Sequence, residues 1–320
     1  MVGNQPQEYQ VPTGVGLTAV HVAAARAAEG RRNAPLFDDP FAADFVTAAG
    51  AALSFTNYHP PAAQDTADLW AWVASYAVIR TRFFDDYFRD ACAEGCRQVV
   101  ILAAGLDTRA FRLSWPAGVR LFELDTPEVL TFKDQVLAER DTAPACQRVA
   151  INVDLRQDWP ATLVQAGFHP AEPTAWLAEG LLIYLTQDER DQLLDRVRQL
   201  SAPGDWLAIE YNSEYMTQTA VQLMINSLSE PSSPDSAFLK TLWQSGTQED
   251  PTSWLGRHGW QAHEYDASER AQFYGRPLPV YHGPVVQSAL AARRGLVIAQ
   301  QPRPAEPPRT TCSGPNYAHA

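Results

Sequence analysis

From Arg97 onward the sequence alternates short apolar runs with segments patterned for helices. The runs are "RQVVILAAG" (97–105), "RLFELD" (120–125), "QRVAINVDL" (147–155), "PTAWLAEGLLIYL" (173–185) and "GDWLAIEYN" (204–212). Between them lie "TRAFRLSW", then "PEVLTFKDQVLAERD" with proline at a helix start, and the charged amphipathic "DERDQLLDRVRQLS". Five strands in this alternation predict an α/β protein, a parallel sheet with helices on both faces, because each parallel connection must cross over the sheet. In such sheets ligands bind at the carboxyl ends of the strands, near the switch in strand order.

The flanks have a different texture. "LTAVHVAAARAAE" (17–29) and "LFDDPFAADFVTAAG" (36–50) read as helices, the second ending at Gly50. Residues 66–94 carry Leu69, Trp72, Val73, Tyr76, Ile79, Phe83, Phe84 and Tyr87 at helical spacing. Residues 1–95 are therefore expected to form a helical cap or lid, and 96–302 the α/β core. Within that core, 213–250 breaks the rhythm as a helical insertion around a Ser/Pro-rich loop. "WLGRHGWQAHEYD" (254–266) predicts a helix, a turn at Gly259 and a strand, and "LVIAQQ" (296–301) a last strand. The proline-rich stretch 303–320 reads as a disordered tail.

Each of the first four strands ends in groups suited to binding. They are Gly105–Leu106–Asp107, then Glu123 and Asp125, then Asp154–Leu155–Arg156, and finally Glu179–Gly180. An acid about 20 residues past a glycine turn sits where a ribose diol would donate its hydrogen bonds. A polar residue after the third strand suits an adenine amino group, with Leu155 against the ring. The turn "AAGLDTR" keeps only Gly105, with Ala103 where an earlier glycine would be expected. The added methyl is tolerable there if φ is negative. A nicotinamide dehydrogenase also begins with strand, glycine turn and distal acid, but its G-x-G-x-x-G pattern is absent.

Taken in order, "VVILAAGLDTRAFRL", "FELDTPEVLTFK", "VDLRQDW" and "PTAWLAEGLLIYL" resemble the successive signatures of the leucine carboxyl methyltransferase-like family, in particular its bacterial branch of S-adenosylmethionine-dependent O-methyltransferases. The likeness spans roughly residues 17–300, including "WLGRHGW" and "YGRP". The resemblance implies a class I methyltransferase fold, a Rossmann-like seven-stranded sheet with its last strand antiparallel, and S-adenosyl-L-methionine as cofactor, leaving S-adenosyl-L-homocysteine as product. It assigns Arg80 to the methionine carboxylate, for which a bidentate guanidinium is suited. Arg82 competes for that role, with a helix-surface ion pair to Asp85 or Asp86 as the alternative. Ala103 and Gly105 would lie beside the methionine part, Asp125 (Glu123 its rival) would hold the ribose, Asp154 and Leu155 would frame the adenine, and Glu179 would take the amino group. Asp107 would cap the next helix and Arg109 hold an internal carboxylate. Tyr184 would face the methyl-transfer site. Arg80→Ala is expected to abolish cofactor binding and leave the fold intact.

Methyl transfer to oxygen is an in-line displacement. A carboxylate acceptor needs no base, whereas a hydroxyl would call on one, and His59 in "NYHPP" is the candidate; His21 is explained equally well by packing. No metal is expected. Trp70, Trp72, Tyr76, Met216, Met224, Phe238 and Trp243 would line an acceptor pocket between the N-terminal helices and the insertion, suited to an apolar small molecule of secondary metabolism. The alternative is a protein of the same fold that binds the cofactor without transferring methyl, as a binding module or a rearrangement catalyst. A net charge of -12 argues against a nucleic-acid partner. No apolar run reaches the roughly 20 residues of a membrane span, the start lacks signal-peptide character, and four scattered cysteines make no disulfide framework. A cytoplasmic monomer or homodimer is the expectation.

Overall fold

The computed structural model describes residues 9–50, 64–212, 249–279 and 294–303. Seven strands form one sheet: β1 (Gln98–Leu102), β2 (Arg120–Asp125), β3 (Gln147–Asn152), β4 (Thr174–Ala178), β5 (Trp206–Asn212), β6 (Gln261–Asp266) and β7 (Arg294–Gln300). Their order is β3-β2-β1-β4-β5-β7-β6. The first five are parallel, and β7 runs antiparallel between β5 and β6, as expected. The order reverses direction at β1 and β4, which places a ligand crevice at their carboxyl ends.

Both faces of the sheet are covered, so β1 and β4 are buried at all five positions and read as continuous apolar runs. Alternate residues serve opposite faces. Val99, Ile101, Ala175 and Leu177 pack beneath Trp72, Tyr76, Phe84, Tyr87 and Phe88 of the long helix α3 (Gln64–Ala93), preceded by α1 (Val15–Gly30) and α2 (Ala42–Ala49). From Trp72 onward, α3 is thus continuous with the core of the sheet. A one-turn helix, α4 (Arg109–Arg112), follows β1, and α5 (Pro127–Ala138) follows β2. Helices α1, α2 and α5 share a separate core of Val20, Ala23, Phe41, Phe45 and Phe132, closed by Leu106 from the glycine turn. The opposite face, with Val100, Phe122 and Trp176, is covered by α6 (Pro160–Gln165), α7 (Gln187–Gln199) and α8 (Pro251–Arg257). Thr186 and Glu189 start α7 as a reciprocal capping box.

Two strands are shorter than their apolar runs. β3 stops at Asn152 because the Asp154 side chain accepts from the Arg156 N–H and its carbonyl from Gln157, a turn that leaves the ladder. β4 stops at Ala178 because Gly180 adopts φ +64, and Leu182–Tyr184 form a 3₁₀ turn. His59, the 213–248 part of the insertion and residues 304–320 lie outside the described residues, as does the side chain of Trp70. No described helix is long and apolar enough to cross a membrane.

At the amino ends of the central strands β4 and β5, fully buried Asp205 accepts from the N–H groups of Thr174 and Ala202, both at 3.0 Å. Burial outweighs those bonds and pushes its carboxyl up to about 6. A carboxyl raised on folding contributes stability below its unfolded value of about 3.9 and loses it as pH rises through the folded value. The wild-type protein is therefore expected to gain stability relative to Asp205→Asn as pH is lowered from about 7 to about 5. Denaturation midpoints across that range check it, and parallel pH profiles would refute it.

Candidate active site

Strand register sets the site. Leu102 pairs with Leu124 on one side and Ala178 on the other, and Ala178 pairs with Ile209. One residue further along, Asp125, Ala103, Glu179 and Glu210 therefore come level across four neighbouring strands, with Asn152 beside Asp125. An acid stands on each side of the glycine turn.

That turn is more contorted than the sequence suggests. Ala103 has φ +54, the one positive value at a non-glycine among the described residues. The condition for a readily tolerated methyl, a negative φ, is not met, and the alanine bears a left-handed penalty of about 1–2 kcal/mol. Gly105, at φ +51, is required twice over. An added Cβ would also come within 3.3 Å of the Ala19 methyl of α1. The Gly105 N–H donates to Asp125 Oδ2 at 2.6 Å, and Thr126 N–H donates to Oδ1 at 2.7 Å. Burial pushes the Asp125 carboxyl upward against these two bonds. Its oxygens hold further lone pairs for an incoming hydroxyl.

Glu123 is no rival to Asp125. It lies one pleat inside, fully buried, with Lys133 Nζ at 2.7 Å and Arg148 Nε at 2.9 Å on Oε2. It belongs to the packing of α5 and β3 on β2.

Under the turn runs a chain of buried charges. Arg109 donates through Nε to Asp85 Oδ1 (2.7 Å), through Nη1 to Glu179 Oε2 (2.8 Å) and also to Asp107, with the Phe88 ring 5.8 Å from its Cζ. The expected internal carboxylate is thus three carboxylates. Asp107 also takes the Arg109 N–H at 2.7 Å, giving the predicted cap at the start of α4. Arg112 holds both oxygens of Asp85, at 2.6 and 2.7 Å. Burial alone would raise the Asp85 and Glu179 carboxyls, but the adjoining guanidinium groups outweigh it and hold both below the usual range. Asp107 behaves the same way beside Arg109.

Arg80 closes the chain at the carboxyl ends of the central strands β4 and β5. Its Nε donates to Glu179 Oε1 at 2.8 Å and its Nη1 to Glu210 Oε2 at 2.6 Å, while Nη2 takes part in neither bond. A Cβ added at Gly180 would stand 3.7 Å from both Nη1 and Nη2, so the missing side chain leaves a cradle beside that end of the guanidinium. Arg82, the competing candidate, instead pairs with Asp86 at 3.0 Å and donates to the Leu36 carbonyl.

Helix α1 forms the near wall. Arg26 reaches Asp39 (2.7 Å) and the Leu106 carbonyl (2.6 Å), and Thr108 Oγ1 donates to the same Asp39 at 2.8 Å. Tyr184 meets this helix through its hydroxyl, 3.1 Å from Thr18 Oγ1. His21, one turn along α1 from Thr18, is half-buried, and burial lowers its pKa. Asp154 and Leu155 stand apart from the charge chain, past the end of β3. Asp154 there pairs with Arg156, at 2.6 Å between Oδ2 and Nη2.

Three contributors escape a motif reading: Asp85, Arg112 and Glu210. The signal for Glu210 was present as one acid in the run "WLAIEYN", two residues before the strand's last residue, Asn212.

With this geometry fixed, likeness to known proteins becomes informative. The family model described as leucine carboxyl methyltransferase matches residues 19–198. The chain belongs to the leucine carboxyl methyltransferase family. A relative from Parafrankia sp. (strain EAN1pec) is 44% identical over 283 residues, covering 88% of each chain. Another, from Frankia alni, is 45% identical over 292 residues, covering 90% of this chain and 97% of its own. Both are provisionally named S-adenosyl-L-methionine-dependent methyltransferases. Among solved structures, a DUF574 family protein from Streptomyces avermitilis superposes with a TM-score of 0.53 at 12% identity, covering 89% of this chain and 97% of its own. That likeness is one of fold.

Proposed function

We propose that the protein is an S-adenosyl-L-methionine-dependent O-methyltransferase acting on a carboxylate or hydroxyl of an apolar small molecule, in secondary metabolism. Family membership and the names of the relatives support the methyltransferase class and the cofactor. The observation that carries the site assignment is the guanidinium of Arg80, clamped level with the strand ends, with its Nη2 end beside the cradle at Gly180.

When bound, the cofactor supplies an electrophilic methyl on a sulfonium. Arg80 takes its carboxylate through the free guanidinium end, and Glu179, fixed by two arginines, accepts from its ammonium. Asp125 accepts from the ribose hydroxyls while bracing the Gly105 turn, and Asp154 with Leu155 frames the adenine. Tyr184, tied to Thr18, stands where α1 meets the strand ends and faces the acceptor. Most of the rate enhancement then comes from positioning and exclusion of water. A carboxylate acceptor needs no protein base at neutral pH.

Two measurements test this reading. S-adenosylhomocysteine is expected to raise the melting temperature while NAD leaves it unchanged; at a hundredfold excess over Kd the gain is about 2.7 kcal/mol. Stabilisation by NAD alone would sink the assignment. Labelled methyl from the cofactor is then followed into a panel of apolar acids and phenols. Transfer to carbon or nitrogen acceptors instead would overturn the O-methyl assignment.

A further inference from the structure

Glu210 has no role in the reading above, yet it is built into the site. The residue is 5% exposed. Its Oε2 accepts from Arg80 Nη1 at 2.6 Å and from the Gly180 N–H at 2.8 Å. A buried carboxylate costs free energy unless its partners repay it, and Arg80 already has Glu179 as a counter-charge. The second carboxylate adds geometry. Glu179 on β4 holds Nε, Glu210 on the neighbouring β5 holds Nη1, and the Tyr76 ring lies 5.9 Å from Cζ. Two in-plane contacts on different nitrogens fix the guanidinium's plane and rotation together, so that Nη2 is aimed in one direction. The same Glu210 oxygen anchors the Gly180 amide, and thereby the glycine whose missing side chain forms the cradle beside Arg80.

We propose that Glu210 is a positioning residue for cofactor recognition, orienting Arg80 so that its free end addresses the carboxylate of the methionine moiety. The proposal rests on Arg80 receiving that carboxylate.

Isothermal titration separates the two ideas, using the full chain with S-adenosylhomocysteine and with 5′-methylthioadenosine, which lacks the amino-acid end. Glu210→Gln is expected to weaken S-adenosylhomocysteine binding at least tenfold and to leave 5′-methylthioadenosine within twofold. Arg80→Lys, which keeps a charge but loses the fork, is expected to give the same selective loss. In the double variant the loss should be no larger than in Arg80→Lys alone, because coupled residues are non-additive. If both ligands weaken equally in Glu210→Gln, its role is structural and the proposal fails. If Arg80→Lys loses affinity while Glu210→Gln does not, the proposal fails and the Arg80 assignment stands. If Arg80→Lys binds like wild type, both fail. Glu210→Asp withdraws the carboxylate by one methylene while keeping its charge. It should show the same selectivity to a smaller degree, and it serves as the readout should Glu210→Gln not fold.

Discussion

Arg109→Met is expected to destabilise the protein by about 3–5 kcal/mol at neutral pH, the cost of stripping the partner from buried charges. Arg109 is 2% exposed and holds Asp85, Asp107 and Glu179 at once. Methionine fills similar space but leaves Asp85 with Arg112, Glu179 with Arg80, and Asp107 without its guanidinium. The pH dependence distinguishes this mechanism from simple loss of packing. In the wild type all three carboxyls are held below their usual values. Depressed carboxyls contribute stability above the ordinary value of about 4 and lose it as pH falls through the folded value. In Arg109→Met those values move up. The deficit should be full from about pH 7 down to about pH 4 and should narrow as pH falls below about 4, through the depressed folded values. Urea midpoints of both proteins across that range measure it, and a deficit independent of pH would reduce Arg109 to packing.

The five parallel strands were legible because buried parallel strands announce themselves as apolar runs. So were Asp125 and Glu179, which end such runs. The count of seven and the antiparallel last strand came from the family resemblance, and the order of the strands from neither. What was hidden depends on neighbours distant in sequence. Glu123 and Asp125 point to the same face of β2, two residues apart, and only Lys133 on α5 and Arg148 on β3 make the first internal. Asp85 sits in "TRFFDDYFRD", where charges read as the solvated side of a helix; instead it is fully buried against Arg109 and Arg112. The positive φ at Ala103 left no trace in its residue type, since alanine rarely takes that conformation. It is set by the turn that brings Gly105 N–H to Asp125. Glu210, a single acid in a strand, belongs to no motif, and its meaning appears only once the β4–β5 register sets it beside Glu179.

Arg80→Ala is expected to lose S-adenosylhomocysteine binding, and the structure adds a second effect that a helix-surface arginine would not show. The residue is 9% exposed, and its removal leaves Glu210 Oε2 with the Gly180 N–H and Glu179 with Arg109. The expectation of an intact, unperturbed fold therefore gives way to a loss of about 3–5 kcal/mol, as for other broken buried pairs. The two effects separate in a double variant. Arg80→Ala with Glu210→Leu removes a buried acid together with its partner, and replacing a buried pair by apolar groups is often near neutral. Stability should recover substantially relative to Arg80→Ala, while cofactor affinity should not. Denaturant melts and calorimetric titration of the same two proteins give both answers. Wild-type stability in Arg80→Ala would show that the two acids need no counter-charge, and binding regained with stability would show that Arg80 acts on the fold and not on the ligand.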